Sequence, residues 1–553
     1  MVSTVKDTDF KITPLQVLIA AMPFFTGVFY EWQSTLVTIA LSVIILYKTV
    51  KTRKITIDSG LPLFFALSVV VFNVLTAFWA VDKGMVWLGV VKFLPLPLFI
   101  IAASGEEKLL KLVPHSGALM TVVSLPLCLV DKLKGHIYVS GRLGGFFEYP
   151  NVFAMFLLVC LILVVFKEKL RSIDPAFIVI YLAGIVLSGS KTVIALTAVT
   201  AIVYIVWVKN RKMKLIALSA FALAFFGAGL YLILRGSSNL NLSTFYGRLL
   251  YFRDALPVIL KHPFGLGYYG YYYTQGEFQT GVYSVVHIHN DLLQILLDIG
   301  WIPAVIGVVM VVKAFIKADL RNKVLLAMIS LHLLFDFDMQ FIAMAIVMLA
   351  IVFESSESKQ KVISYHKGSI LYCSISVVLT FVSIYFGLAS FFNYTNDYRL
   401  AAKIYPAYTE VQKVLLIETS SVSEMGEISD SILKHNPDFY LANSAKSRIA
   451  FSSGDVINMM DCKEKAIRYN KYSKSEYIDY LDMLSYSLSL YLESGDYQSA
   501  QYCVEKCFEI ENEMKNVESA TSSLGRKIND QPDMELPEEY VQFLNELRDL
   551  NGV

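Results

Sequence analysis

The sequence predicts an all-α protein: a polytopic membrane helical bundle of about 12–13 spans over residues 1–393, then a soluble α-helical repeat domain over residues 394–553. Three observations predict it. The chain is 55% apolar and only 17% charged, with a mean hydropathy of +0.54, more hydrocarbon than a soluble protein can bury. Apolar runs long enough to cross a hydrocarbon core, about twenty residues at 1.5 Å rise, recur between residues 12 and 392. After Tyr394 the composition turns polar, rich in Lys, Glu, Asp, Ser and Tyr.

The candidate spans are 12–30, 33–47, 61–81, 84–103, 114–130, 151–166, 173–189, 191–208, 213–234, 290–312, 319–335, 339–353 and 369–392. The first lacks a small-residue cleavage site and is followed at once by further spans, so it reads as a retained helix. The run 323–353 is interrupted by Asp336 and Asp338 in FDFDMQF. Two carboxylates in mid-membrane are costly, so a turn near the outer surface is expected there. Lys and Arg cluster on every second loop: Lys48, Lys51, Arg53 and Lys54; Lys167, Lys169 and Arg171; Lys209, Arg211, Lys212 and Lys214; Lys313, Lys317, Arg321 and Lys323. Such loops stay cytoplasmic, which puts the amino terminus inside and residues 131–150 and 235–289 outside. Dividing the run 323–353 also keeps Lys359, Lys361 and Lys367 inside and sends the tail outside.

In the tail, FSSGDVINMMDCKEKAIRYN and LESGDYQSAQYCVEKCFEIE align Gly454 on Gly495 and Ala466 on Cys507, a period of 41 residues. Each unit reads as a helix, a Gly-Asp turn and an amphipathic helix. This resembles the tetratricopeptide repeat with an insertion near Lys471 to Tyr477, and helices over 409–435 and 536–549 are expected to cap it. A plain helical bundle is the alternative. The net charge of +1 points to no nucleic acid partner. Cys128, Cys160, Cys373, Cys462, Cys503 and Cys507 form no paired CxxC, so neither a zinc site nor a disulfide framework is indicated. Cys503 and Cys507, one helical turn apart, read as packing residues.

Four segments at the outer side carry candidate chemistry. In GRLGGFFEYPNVF, the glycine-flanked Arg142 precedes a helix start at Pro150 and Asn151, where a guanidinium can bind a diphosphate or snorkel to a lipid phosphate. In LSGSKTVIAL, Lys191 stands at a helix start with Ser188 and Ser190, suited to a phosphate or to a tight turn. In YGRLLYFRDALPVILKHPFGLGYYGYYY, Arg248 and Arg253 ride on an amphipathic interfacial helix over 246–261 that HPFGLG breaks. The tyrosines that follow can stack on sugars, but most are expected to form the aromatic belt of a bilayer surface. In VHIHNDLLQILLDIGW, Asn290 or Asp291 can cap the helix, and His289 can orient a hydroxyl or take its proton. His287 and His289 lack a third ligand at a useful spacing for a metal.

Taken in order, the segments resemble the O-antigen ligase and O-antigen polymerase family of bacterial membrane proteins. The resemblance rests on Gly247-Arg248, His262-Pro263-Phe264-Gly265-Leu266-Gly267, His289-Asn290-Asp291-Leu292-Leu293 and Asp298-Ile299-Gly300, and covers residues 140–350. It implies a GT-C-like, inverting, metal-independent glycosyltransferase of membrane helices, with no cofactor and with a glycan on undecaprenyl diphosphate as donor. His289 matches the essential histidine of the family and Arg248 its arginine near the long outer loop. Lys191 stands where many members have arginine, which keeps the charge and loses the bidentate fork. Arg142 matches an arginine ahead of the Pro-Asn helix start.

Transfer breaks the bond from the anomeric carbon to a diphosphate, so fixed cations are needed where the leaving oxygen gains charge. Arg248 and Lys191, with Arg142 and Arg253, are the candidate diphosphate ligands; Asn290, Asp291, Asp336 and Asp338 are secondary candidates for orienting His289 or the acceptor. The resemblance implies as acceptor a saccharide, lipid or protein hydroxyl on the extracytoplasmic side of a bacterial cytoplasmic membrane, and the tail is expected to be able to hold a protein partner. A polymerase of the same chemistry, a solute transporter and a non-catalytic repeat scaffold are the competing readings.

Overall fold

The computed structural model describes residues 12–234, 242–356 and 360–551, so Lys359 and residues 235–241, the start of the segment expected to lie outside, fall outside the described residues. Its helices alternate between two ends of a bundle. At one end Lys48 reaches the Ala102 carbonyl and Glu106. Lys167 and Arg171 pair with Asp174 there, and Asn322 donates to Ser355. The strands Lys54–Asp58 and Gln360–Ser364 run antiparallel at that end, Lys54 opposite Ser364. At the other end lie Arg142, Arg248, His289 and Asp336.

Three stretches among the described residues are long and apolar enough to cross a membrane: Glu31–Thr52, Val86–Ala103 and Ser374–Tyr394. Seven shorter apolar helices accompany them, and together they mark a helical membrane protein. Helix Pro150–Val165 forms the centre and buries every residue but Asn151, as expected of a helix that is hydrophobic all round. Helix Tyr365–Tyr394 lies along Glu31–Thr52, where the Thr35 hydroxyl donates to the Ser383 carbonyl at 2.9 Å and Gly387 passes against Thr35.

Several boundaries differ from the apolar runs. The run 12–30 holds only the helix Pro14–Ala21 and a turn at Met22–Phe24, and the next helix begins at Glu31. Residues 290–312 are two helices, Asp291–Ile299 and Trp301–Lys317, because Gly300 adopts a φ of 83° between them. Helices Leu320–Leu333 and Ile342–Glu354 are separate, and the turn between them carries Asp336 and Asp338.

In the tail, Tyr440–Ser452 and Val456–Tyr469 form one helical pair and Lys474–Ser494 and Tyr497–Ser519 another. Gly454 and Gly495 take left-handed φ angles at the turns, and Asp455 and Asp496 cap the helices that follow. Cys503 and Cys507 are buried in the core of these helices. The segment 409–435 holds two helices, Thr409–Glu418 and Val422–Leu433, because Ser421 caps the second.

The tail sits on the same end of the bundle as Arg248. Gly84 meets the Ala407 carbonyl, Gly276 the Tyr469 carbonyl, and Gly281 meets Gly525, each so closely that a Cβ would collide with backbone. The tyrosines of YYGYYY do not form a lipid-facing belt. Tyr268, Tyr271 and Tyr273 are buried, with hydroxyl partners on Glu31, Tyr283 and Glu410. Their polar tips are satisfied inside the protein, which removes the reason to face an aqueous interface.

A Cβ at position 387 would lie 2.3 Å from the Thr35 hydroxyl oxygen. Gly387→Leu is expected to lower stability by about 1–3 kcal/mol, read as a lower unfolding temperature in detergent. Thr35→Ala in the same chain is expected to recover part of the loss.

Candidate active site

Helix Ser243–Lys261 presents Arg248. Its far half packs through Ala255, Val258 and Ile259 on Leu296, Leu297 and Ala304. It ends at His262, where the chain turns into PFGLG. That motif is bracketed by backbone bonds to DIG: the Leu266 amide donates to the Leu297 carbonyl at 2.6 Å, Gly267 to Asp298 at 3.0 Å, and Trp301 to Pro263 at 3.0 Å. Gly265, Gly267 and Gly300 all have positive φ, and a Cβ on Gly265 or Gly300 would strike the opposite backbone. The glycines therefore bring the start of one helix to the end of another.

His289 lies in the turn just before helix Asp291–Ile299. It adopts a left-handed φ of 54°, an uncommon conformation for a residue with a side chain. The turn is held on both sides. The Ile288 amide donates to the Gln294 side chain at 2.9 Å, and Asn290 caps the helix through the Leu293 amide while its amide group donates to the Leu334 carbonyl at 3.1 Å. Asn290 is thus a structural cap that ties the histidine turn to the turn carrying Asp336.

Asp336 is the hub. It is 1% exposed, yet one oxygen accepts from the Tyr149 hydroxyl at 2.9 Å and the other from the Asn151 amide at 2.7 Å. The Arg248 guanidinium stands 3.5 Å from Oδ2 and the His289 Nδ1 stands 3.4 Å from Oδ1. Burial by itself raises the carboxyl pKa, but the contact with His289 and the charges of His332, His289 and Arg248 outweigh it and hold Asp336 below the usual carboxylate range. The rings of Tyr149, Phe337 and Phe341 form a floor under the imidazole, with Phe337 5.0 Å from His289. Arg248 and His289 remain 14% and 24% exposed, so both face an opening.

Below the hub, the Met339 amide donates to Asp291 Oδ2 at 3.0 Å, and His332 Nδ1 lies 2.6 Å from Asp338 Oδ2. Asp291 and the His332–Asp338 pair therefore pin the turn that carries Asp336. Arg142 donates to the Ser188 carbonyl at 2.7 Å and to the Asn151 side chain. It joins the LSGSK turn to Asn151 and through Asn151 to Asp336. Lys191 is exposed in the first turn of helix Lys191–Trp207, beside that same turn. Arg253 is not part of the cluster: five residues beyond Arg248 it lies roughly 140° further round the helix and is exposed. Among the described residues no group of three or more His, Cys, Asp or Glu is arranged to hold a metal ion.

Sequence reasoning ranked Asp336 below Arg248 and His289, whereas the structure makes it their common partner. It also passed over His332, Tyr149 and the side-chain role of Asn151. Their signals are weak alone, since His332 stands inside an apolar run and Tyr149-Pro150-Asn151 reads as an ordinary helix start.

Residues 176–309 match the O-antigen ligase family model. The matched stretch contains Lys191, Arg248, His289 and both glycine motifs, and it supports membrane glycan transfer or polymerisation as the class of function. Arg142, Asn151 and Asp336 lie outside the O-antigen ligase match and complete its cluster from elsewhere in the chain. No curated protein and no solved structure matches the chain.

His287 packs between Phe29, Tyr269 and Phe337 in the loop before the histidine turn. Burial, then the positive charge of Lys92, depresses its pKa well below the ordinary value. Below about pH 6.5 the unfolded chain takes a proton at this position that the folded chain refuses, so stability falls as pH drops. The unfolding temperature is expected to decline from pH 7 to pH 5, and to decline less in His287→Phe.

Proposed function

We propose that the protein is a membrane glycosyltransferase that moves a glycan from undecaprenyl diphosphate to a hydroxyl acceptor at the extracytoplasmic face of a bacterial cytoplasmic membrane. The observation that carries this reading is the meeting of Arg248 and His289 on the one buried carboxylate of Asp336. With the Asp336 carboxylate 3.4 Å from its Nδ1, we read His289 as carrying its proton there, which leaves Nε2 as the base. The acceptor hydroxyl gives its proton to Nε2 as its oxygen bonds to the anomeric carbon, and the bond from that carbon to the diphosphate breaks on the opposite face. Configuration inverts, and undecaprenyl diphosphate departs with the electron pair. Arg248, with Lys191 at the neighbouring turn, supplies positive charge to the departing oxygen, a protein-based and metal-independent stabilisation. Arg142 positions Asn151 and the LSGSK turn.

An apolar cavity of about 340 Å³ between helices runs beneath the site, lined by Val69, Leu96, Ile295, Val311 and Met348 and reaching Asp291 and Gln340. It suits the isoprenoid chain of the donor. The Lys and Arg clusters sit at the opposite end of the bundle from Arg248, which supports an outer position for the site. The tail, which we read as a tetratricopeptide-like domain beginning at residue 394, lies at the site end. That placement favours delivery of glycan to a non-carrier acceptor over polymerisation.

His289→Ala and Arg248→Ala are each expected to lower glycan transfer at least roughly a hundredfold at normal membrane levels, measured with a lipid-linked donor and gel separation of products. Undiminished product in His289→Ala would leave transport or scaffolding. A reporter active only outside the cytoplasm, fused after Asp397, is expected to be active.

A further inference from the structure

The last part of the tail crosses the helix that carries Arg248. At one edge the Asn529 amide donates to the Ser243 hydroxyl at 2.8 Å. In the middle, Ile528 is buried against Leu250 and Tyr283 with Tyr246 and Tyr251 around it, and Lys527 lies 5.2 Å from the Tyr246 ring centre. At the far edge the Ser522 amide donates to the Thr280 carbonyl at 2.8 Å, while the Thr280 amide and hydroxyl donate to Asp254 at 2.7 and 2.8 Å. Ser243, Gly247, Leu250 and Asp254 follow one another at spacings of four, three and four, so they form a single face of the helix. Arg248 stands on the adjoining face, turned toward Asp336.

This grip is close. A Cβ on Gly525 would lie 2.5 Å from the Thr280 carbonyl oxygen and 2.9 Å from the Gly281 Cα, so the strap touches the outer loop backbone to backbone. Tyr251, one turn beyond Gly247, packs with its ring tilted 4.6 Å from that of Tyr283 and lies 6.4 Å from the His289 ring. The half of the helix that packs on the bundle is Ala255 to Ile259. The half that carries Arg248 is the half the strap covers.

We propose that residues 522–529 are a positioning element of the active site: by gripping the face from Ser243 to Asp254 they set the rotation of the helix and hold the Arg248 guanidinium over Asp336 beside His289. The tail is then part of the catalytic unit as well as an acceptor-side surface. Ile528, Ser522 and Gly525 are positioning residues that act through Arg248. The link from helix rotation to catalysis rests on the glycosyltransferase reading; the grip itself does not.

The test uses the full-length protein in detergent or membranes, with Gly525→Leu and Ile528→Asp to loosen the strap and Ile528→Val as the conservative change. Hydrogen exchange of residues 243–261 is expected to speed up in the first two variants and not in the third. Transfer is expected to fall roughly tenfold to a hundredfold, as a displacement of about 1 Å does, with Ile528→Val close to wild type. Because the effect passes through Arg248, Gly525→Leu is expected to add little to the loss already caused by Arg248→Lys. Unchanged exchange in 243–261 would overturn the grip, and losses that multiply with Arg248→Lys would overturn the route through Arg248. A wild-type protein with no transfer would defeat the enzymatic reading, while the exchange measurement still decides whether the strap holds the helix.

Discussion

A single buried carboxylate organises this protein's working end. Asp336 is almost fully removed from solvent, and an isolated charge in that position would be strongly destabilising. Tyr149 and Asn151 satisfy its oxygens by hydrogen bonds, Arg248 supplies compensating charge, and His289 Nδ1 lies against it. The four partners are thereby brought to one place around the carboxylate. The helix start at Pro150, the arginine helix, the histidine turn and the turn from Leu334 to Phe341 converge because they share this one group.

The convergence is kept rigid by backbone-to-backbone packing. Gly265, Gly267 and Gly300 let two chain segments pass close enough for the Leu266 and Trp301 amides to bond across. Gly84, Gly276 and Gly281 do the same for the tail against the loops at the Arg248 end of the bundle. The buried tyrosines between these contacts join apolar packing to hydroxyl bonds with Glu31 and Glu410, which suits a junction between a membrane bundle and a polar domain. His289, strained at a positive φ, depends on this support.

Much of this was legible from residue order. Apolar run length located most of the bundle helices, though not the breaks within 12–30 and 290–312, and the two carboxylates of FDFDMQF marked a turn. The Gly-Asp pairs marked the turns of the tail hairpins, and the island from Tyr246 to Gly300 held both Arg248 and His289. What was not legible depends on distant partners. Tyr268 and Tyr273 looked like interfacial residues because Glu31 and Glu410 are far away in the chain. Arg253 was a candidate diphosphate ligand beside Arg248, and only the packing of the helix shows that Arg248 is the one turned toward Asp336.

The sequence by itself determined the helical membrane class, the polar tail and the candidate imidazole and guanidinium, since hydropathy, periodicity and side-chain chemistry are local properties. Only the tertiary structure decided that Asp336 is their shared partner, that Arg142 holds Asn151 and the Ser188 carbonyl, and that the tail lies across the arginine helix. Those relations join residues up to 286 positions apart, as from Ser243 to Asn529, and a contact across such a distance exists only once the chain has packed.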